Sequence, residues 1–416
     1  MALGRRLSRI AAVGAVLAVL GAAAAGPAAA DPPGTNWSPL SPSASSDCQF
    51  PTKDVPAMPW ALQRVLLGQL WQNGITGQGV TVAVIDTGVD NQNPQLAGRV
   101  LPGETLLPDK NNNNQPVGPA TQDQVGHGTK VAGIIAAAQR SGVGFVGLAP
   151  GAQILPIRQN DEAGDGDVVT MAKAITDAVN AGAKVINISQ DVRGAAQDGS
   201  FPDSDLLKAA VDYAEAHQVV VVASSGNDGQ QGAEYPAGYP TVLAVGASDR
   251  NNERAAFSEY GDYVSVAAPG VDILSTVPGG GQCVDNGTSF AAPYVAGVAA
   301  LLRCEYPGWT AQQIRTRIEQ TAQRTERGRN QYLGWGVVDP VKAVTDTSPP
   351  SNAPAADPAV KLAGSPILPQ PVGLGETQAD RDRRTATFVL LGVVLVVALL
   401  FGGSVVLRDR RRRLLD

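Results

Sequence analysis

The chain has 416 residues, and its 32 Lys and Arg against 38 Asp and Glu give a formal net charge of −6. Between residues 31 and 380 the balance is 35 acidic against 21 basic side chains, which excludes the positive surface that a nucleic-acid-binding protein needs. With 44% apolar and only 17% charged residues, wholesale disorder is excluded as well, and the length allows two or three domains.

Residues 1–30 have the three parts of a secretory signal peptide. Three arginines lie among the first nine residues, residues 10–25 are apolar and uncharged, and Ala28-Ala29-Ala30 offers a small-residue cleavage site. The apolar run is short for a membrane span, so an uncleaved signal anchor is the less favoured alternative. We expect cleavage after Ala30 and export of the mature protein.

A second apolar stretch, residues 385–407, has the length of a transmembrane helix. It runs for 23 residues without a charge, which at about 1.5 Å per residue covers roughly 34 Å. Five arginines follow it, and the more positive flank of a span stays in the cytoplasm. A buried soluble helix is the alternative, but it seldom reaches this length. The sequence predicts a single-pass protein of the cell membrane, with residues 408–416 as cytoplasmic tail and the body outside.

Two proline-rich segments flank the body. Residues 31–59 form an N-terminal extension with seven prolines, and residues 346–384 form a linker with seven more. The linker composition is typical of an extended, semi-rigid spacer. The extension is too small for a core of its own, so we expect it to pack on the body and to stay attached.

The three cysteines of an exported chain predict one disulfide and one free thiol. Cys304 falls late in an apolar helical stretch, where a free cysteine packs as a small hydrophobe. We therefore favour the pair Cys48 and Cys283 as a hypothesis. With two histidines in the whole chain, a structural zinc site is not expected.

Residues 60–345 alternate between helix-like and strand-like patterns. The first pattern places Leu62, Val65, Leu66 and Leu70 on one helical face. Apolar, β-branched strands separated by helices predict an α/β fold, a doubly wound and mostly parallel sheet with helices on both faces. The predicted strands are 80–85, 153–157, 184–188, 219–223, 242–245 and 263–267, and the predicted helices between them are 127–139, 168–181 and 205–217.

Two motifs place acidic and imidazole groups beside this sheet. The first strand ends in Asp86 of an Asp-Thr-Gly triplet, but the chain has no second such triplet, so an aspartic-protease dyad is unsupported. His127 lies between two glycines at a predicted helix start. The other histidine, His217, ends a helix, where the helix dipole or solvent explains it.

A third motif begins an apolar helix with Ser289. A serine at this position is most often a cap, yet the first turn of this helix consists of Ala and Pro and leaves space above the hydroxyl. A serine nucleophile needs an imidazole base held by a carboxylate, and Asp86, His127 and Ser289 appear in one of the known orders of that triad. Asn227, at a strand end, is a candidate donor to an oxyanion.

At these residues the chain resembles the subtilisin-like serine proteases, in the segments IDTGV, GHGTKVAG, SSGN and GTSFAAPYVAG. The resemblance implies a catalytic triad, the oxyanion donor Asn227, protein or peptide substrates, and a cis-proline site at Pro269. Signal peptide, extension, protease domain, linker and anchor together resemble the mycosins, which are membrane-anchored proteases of type VII secretion systems. Components of such a system are therefore expected partners.

The chain departs from the broader family in its substrate cleft. Many subtilases continue with Leu-Gly-Gly after the serine that corresponds to Ser189, whereas this chain has Gln190-Asp191-Val192. We predict that residues 189–191 line a restricted cleft and that Asp191 favours a basic side chain near P1. Two oxygen-rich loops, 109–114 and 161–165, lack the spacing of a calcium cage, so neither a metal nor another cofactor is predicted.

Two functions of different class remain open. One is a serine endopeptidase of limited specificity that cleaves secreted proteins. The other is a structural subunit of a secretion complex, with the protease fold as an interaction module. A third hypothesis is a general extracellular protease, which predicts that the purified extracellular part digests casein broadly.

Overall fold

The computed structural model describes residues 48–109, 115–161, 166–193, 201–359 and 375–413. These residues form two units, one that reaches Pro358 and one that starts at Ala359. The predicted signal peptide lies outside the described residues, as do most of the two oxygen-rich loops.

A parallel sheet is the centre of the first unit. The strands of the described residues are β1 (Thr81–Asp86), β2 (Glu104–Thr105), β3 (Pro108–Asp109), β4 (Gln115–Pro116), β5 (Gln153–Arg158), β6 (Val185–Ile188), β7 (Val192–Arg193), β8 (Val220–Ser224), β9 (Glu234–Tyr235), β10 (Val242–Ser248), β11 (Val266–Pro269), β12 (Ile273–Thr276) and β13 (Gln282–Asp285). Seven of them form the central sheet, in the order β11-β10-β8-β6-β1-β5-β2, so the sheet extends from β1 in both directions. The others form the pairs β3-β4, β7-β9 and β12-β13.

Helices cover both faces of the sheet. A 3₁₀ turn spans Gln72–Gly74, and the α-helices are α1 (Trp60–Gln63), α2 (Leu67–Leu70), α3 (His127–Ala136), α4 (Val168–Asn180), α5 (Ser204–Ala216), α6 (Thr288–Glu305), α7 (Ala311–Thr321), α8 (Pro340–Thr345) and α9 (Gln378–Arg413). Polar side chains start several of them. The Asp167 carboxylate, for instance, accepts a hydrogen bond from the Thr170 amide at 2.8 Å and begins α4.

The alternation of side chains along each strand produces two cores. In β1, Val82 and Val84 pack with α3 and α6, while Ala83 and Ile85 pack with α4 and α5. Because both faces are buried, the strands are apolar throughout rather than alternating. The predicted α/β fold with a parallel sheet and helices on both faces is confirmed.

Two local expectations are wrong. Leu66 is 56% exposed, because the helical face expected around it is divided into α1 and α2, and Leu66 itself precedes α2 with non-helical torsions. The peptide before Pro269 is not cis, since Pro269 continues the extended strand β11, which pairs with β10. In the described residues, cis peptides precede Pro51 and Pro236.

Parts of both proline-rich segments pack against the rest of the first unit. Residues 48–59 contact it through the Thr52 amide, which donates to Gly280 O at 3.0 Å, and through the Val55 amide, which donates to Gln282 Oε1 at 2.8 Å. At the other end, Arg317 donates to the carbonyl oxygens of Asp346 and Ser348. Residues 346–358, the start of the predicted linker, therefore belong to the compact first unit.

The helix in the described part of the second unit is α9. This helix is long and apolar enough to cross a membrane, by length and composition. It includes the predicted span, residues 385–407, and all five arginines that follow it.

Candidate active site

The site forms where the carboxyl ends of β1, β6 and β8 meet. These strands are neighbours in the sheet, and the sheet extends in opposite directions from β1. Asp86 is the last residue of β1, Ser189 follows β6, and Asn227 lies three residues after β8. Such a switch point leaves a crevice at the strand ends, where α/β proteins bind ligands.

Asp86 and His127 are joined by a short polar contact. His127 is the first residue of α3, and its Nδ1 lies 2.7 Å from Oδ1 of the fully buried Asp86. Gly128 permits this approach, because a Cβ there would lie 2.1 Å from the carbonyl oxygen of Gly88. A carboxylate on Nδ1 fixes the tautomer that leaves Nε2 to act as a base.

The charge of Asp86 controls the titration of His127. Burial lowers the pKa of the imidazole, but the negative charge of Asp86 and the hydrogen bond to it outweigh burial and raise the pKa above 6.5. The ring keeps a partly exposed edge, since 15% of the side chain is accessible. The imidazole is therefore not closed off from the crevice.

Asp123 is a site residue that the sequence did not reveal. Its buried carboxylate accepts from the amides of Gly126 and Thr129, both at 2.8 Å, and from the hydroxyls of Thr87 and Thr129 at 2.9 and 2.6 Å. Burial raises its pKa above 3.8, although these hydrogen bonds oppose the shift. The carboxylate ties the loop before His127 to the end of β1. A lone Asp in a polar loop gives no signal of such a role.

Ser289 lies in the first turn of α6 and is 6% exposed. Its hydroxyl donates to the carbonyl oxygen of Ser189 at 3.1 Å, and the Ser189 hydroxyl donates to the Ser289 carbonyl oxygen at 2.9 Å. The next residue, Phe290, places its ring centroid 5.3 Å from that of His127. Among the described hydrogen bonds, Ser289 is thus paired with Ser189 rather than with His127.

Asn227 is oriented by the residue before Ser289. Its Oδ1 accepts from the Thr288 amide at 2.9 Å and from the Thr288 hydroxyl at 3.0 Å. Because both donors fix the oxygen, the amide NH₂ must point the other way. The structure therefore orients the N–H donors of Asn227 away from Thr288.

The remaining residues singled out from the sequence have varied surroundings. Ser189 and Gln190 are buried, and the Gln190 amide donates to Ile85 O at 3.4 Å. Asp191 is half-buried. His217 is exposed at the end of α5, with Nδ1 2.9 Å from Tyr213 O, which agrees with a structural role.

Cys48 and Cys283, the pair favoured from the sequence, form a disulfide with their Cα atoms 6.1 Å apart. Cys304 is a free, half-buried thiol that packs against the core. Within the described ranges, no three His, Cys, Asp or Glu side chains group as metal ligands would.

Comparison with known proteins gives a consistent result. The profile of the subtilase family, peptidase S8, matches residues 77–336. Subtilisin Savinase from Lederbergia lenta is 40% identical over 283 residues, which cover 68% of this chain and 97% of the relative.

Solved structures agree with this result. The MycP3 protease from the type VII (ESX-3) secretion system has a TM-score of 0.62 at 34% identity, over 71% of this chain and 90% of that one. MycP1, described as a serine protease and an essential component of the type VII (ESX-1) secretion system, has a TM-score of 0.62 at 32% identity, over 75% and 92%.

Proposed function

Because the chain belongs to the subtilase family of serine endopeptidases, we propose that Asp86, His127 and Ser289 are its catalytic triad. The observation that carries this assignment is the 2.7 Å contact between His127 Nδ1 and a carboxylate without solvent access. A buried Asp in this position stabilises the imidazolium that forms during catalysis. The Asn227 amide is the proposed oxyanion donor, and its fixed oxygen atom supports that role.

The reaction begins when the Ser289 hydroxyl leaves the Ser189 carbonyl and turns toward Nε2 of His127. Ser289 Oγ then attacks the scissile carbonyl carbon while its proton moves to Nε2. The oxyanion that forms accepts a hydrogen bond from Asn227 Nδ2. When the C–N bond breaks, His127 returns the proton to the leaving amine and an acyl-enzyme remains on Ser289. Water, deprotonated by His127, hydrolyses this ester and regenerates the serine.

The proposed setting is the outer side of a membrane, at a type VII secretion system. Its support is the likeness to MycP3 and MycP1, together with α9, which has the length and composition of a membrane span. With the signal peptide removed, the five arginines after the span hold residues 408–416 in the cytoplasm. The first unit then meets secreted proteins as they emerge.

A second role, as a structural subunit of the secretion complex, is also supported. The neighbour MycP1 is described as an essential component of its system, which fits either a proteolytic or a structural contribution. The two roles are separable by one substitution, because Ser289→Ala removes the nucleophile and leaves the surface of the protein unchanged.

The test compares three strains: wild type, a deletion of the gene, and one that produces the Ser289→Ala variant at the same level. We expect the variant to lose cleavage of secreted proteins, which mass spectrometry of the culture medium detects as missing cleaved termini. Cleavage that persists in the variant would refute the triad assignment. Secretion that survives in the variant and stops in the deletion would make the structural role the main one.

A further inference from the structure

A buried ion pair lies directly beside the proposed triad and has no part in the mechanism above. Lys130 Nζ is 2.7 Å from Oδ2 of Asp285, and the two side chains are only 5% and 4% exposed. Removing two charges from water is costly, and such pairs often add no net stability compared with apolar residues. A contribution to the free energy of unfolding is therefore a poor explanation for the presence of this pair.

The pair connects the helix that carries the proposed base with the strand that leads into the helix of the proposed nucleophile. Lys130 lies on α3, one helical turn after His127, and Asp285 ends β13, four residues before Ser289. Neighbouring contacts join the same elements, since Ser275 on β12, paired with β13, donates through its hydroxyl to Lys130 O at 2.6 Å. The ion pair is the direct side-chain link between α3 and the end of β13.

Phe290 brings the pair into the surroundings of His127. The Lys130 ammonium lies 6.0 Å from the centroid of the Phe290 ring, and that ring lies 5.3 Å from the ring of His127. A shift of Lys130 would therefore disturb the packing against which the imidazole rests.

We propose that Lys130 and Asp285 are positioning residues, a buried and charge-neutral link that holds His127 in register with Ser289. The proposal rests on the proposed triad and deepens it. An apolar pair could fill the same space, but it could slide, whereas a hydrogen-bonded ion pair has one favoured geometry. Register between base and nucleophile matters because a displacement of about 1 Å can cost a hundredfold in rate.

The two charges of the pair also have opposite effects on the pKa of His127. The charged groups that act on the imidazole are Asp86 on β1, Lys130 on α3 and Asp285 on β13; Lys130 opposes protonation and Asp285 favours it. If Asp285 is neutralised, the remaining cation lowers the pKa of His127. If Lys130 is neutralised, the remaining anion raises it. When both are neutral, the two effects cancel.

The experiment uses the full-length protein in detergent and a fluorophosphonate probe, which needs no knowledge of the substrate. Ser289 Oγ forms a bond to phosphorus, fluoride leaves, and His127 takes the serine proton. The labelling rate is measured from pH 5 to 9 for wild type and for the variants Lys130→Met, Asp285→Asn and the double variant, with thermal unfolding as a check on folding. Lys208→Met/Asp212→Asn removes an exposed ion pair from α5 and is the matched control.

We expect the double variant to label about ten to a hundred times more slowly than wild type. The acid limb of its pH–rate profile should stay at the same pH as in wild type. We expect the acid limb to move to lower pH in Asp285→Asn and to higher pH in Lys130→Met. The control should label like wild type. If the single variants do not fold, the proposal is tested by the double variant, because it buries no unpaired charge.

Wild-type labelling in the double variant would overturn the proposal, and so would acid limbs that move in the same direction in both single variants. The Ser289→Ala variant distinguishes a failure of the proposed triad from a failure of the positioning role. Labelling that persists in Ser289→Ala would refute the proposed triad, whereas its loss, together with unaffected pair variants, would refute only the positioning role.

Discussion

Asn227 depends on Thr288 for its orientation, and Thr288 directly precedes the proposed nucleophile. The amide oxygen of Asn227 is held by two donors of Thr288, at 2.9 and 3.0 Å. The N–H that faces the opposite direction is therefore preorganised and needs no reorientation when negative charge develops. Preorganised donors of this kind contribute mainly to the transition state and little to the binding of the substrate.

Replacing Asn227 by Ala should consequently lower kcat and leave KM nearly unchanged. The expected loss is about 10²–10³-fold, a magnitude known from a subtilisin. Steady-state kinetics on a fluorogenic peptide measure it. Thr288→Ser, which keeps both the amide and a hydroxyl for Asn227, is the control and should retain most of the activity. A rise in KM with unchanged kcat would show that Asn227 binds substrate in its ground state instead.

The network around Asp86 and His127 shows what sequence patterns miss at this scale. Asp86, His127 and Ser289 have distinctive neighbours and could be predicted from the sequence. Asp123 and Lys130 could not be assigned a role in the same way, because their partners are distant in the chain. Lys130 pairs with Asp285, 155 residues away, and Asp123 meets Thr87 across 36 residues. Only the fold brings such partners together.

At the scale of elements, burial patterns predicted the sheet well but not every boundary. The strand runs are apolar on both faces, so β1, β5, β6, β8, β10 and β11 were found, with ends displaced by a few residues. Leu66 and Pro269 were interpreted wrongly because their conformations depend on packing rather than periodicity. The hairpin of β12 and β13, which holds Cys283 and Asp285, was not predicted.

The disulfide makes residues 48–59, the described part of the N-terminal extension, an integral element of the proposed enzyme. Cys48 and Cys283 are 235 residues apart in the chain, so their bond strongly restricts the unfolded ensemble. Residues 50–55 add hydrogen bonds to the loop after β12 and to Gln282. An element held in this way is not expected to dissociate after export.

Cys48→Ser should therefore lower the free energy of unfolding by about 2–4 kcal/mol. Thermal unfolding in detergent measures the change, and wild type treated with a reductant should approach the variant. Cys304→Ser alters a half-buried free thiol and is the control, with a small effect expected. Equal unfolding of wild type and Cys48→Ser would contradict this role. N-terminal sequencing of the mature protein should also still find residues 31–59.

On the scale of the whole molecule, the distribution of charge and hydropathy supports the proposed topology. The acidic excess is confined to residues 31–380, and the basic residues of the C-terminal end surround an apolar run. In the proposed topology a negatively charged body is repelled by anionic lipid, so we expect α9, rather than the surface of the body, to attach the protein to the membrane. Of the predicted linker, residues 346–358 belong to the first unit.

Removing residues 378–416 should release the protein into the culture medium as an active peptidase. The reason is that the described first unit has its own cores and its complete proposed site, while α9 supplies the apolar length that a bilayer retains. Immunoblots of medium and of carbonate-washed membranes measure the distribution, and fluorophosphonate labelling measures the activity. Deleting residues 360–374 instead shortens the predicted linker but keeps α9, so this control should stay in the membrane fraction. A truncated protein that remains with washed membranes would show that a partner or the body itself provides the attachment.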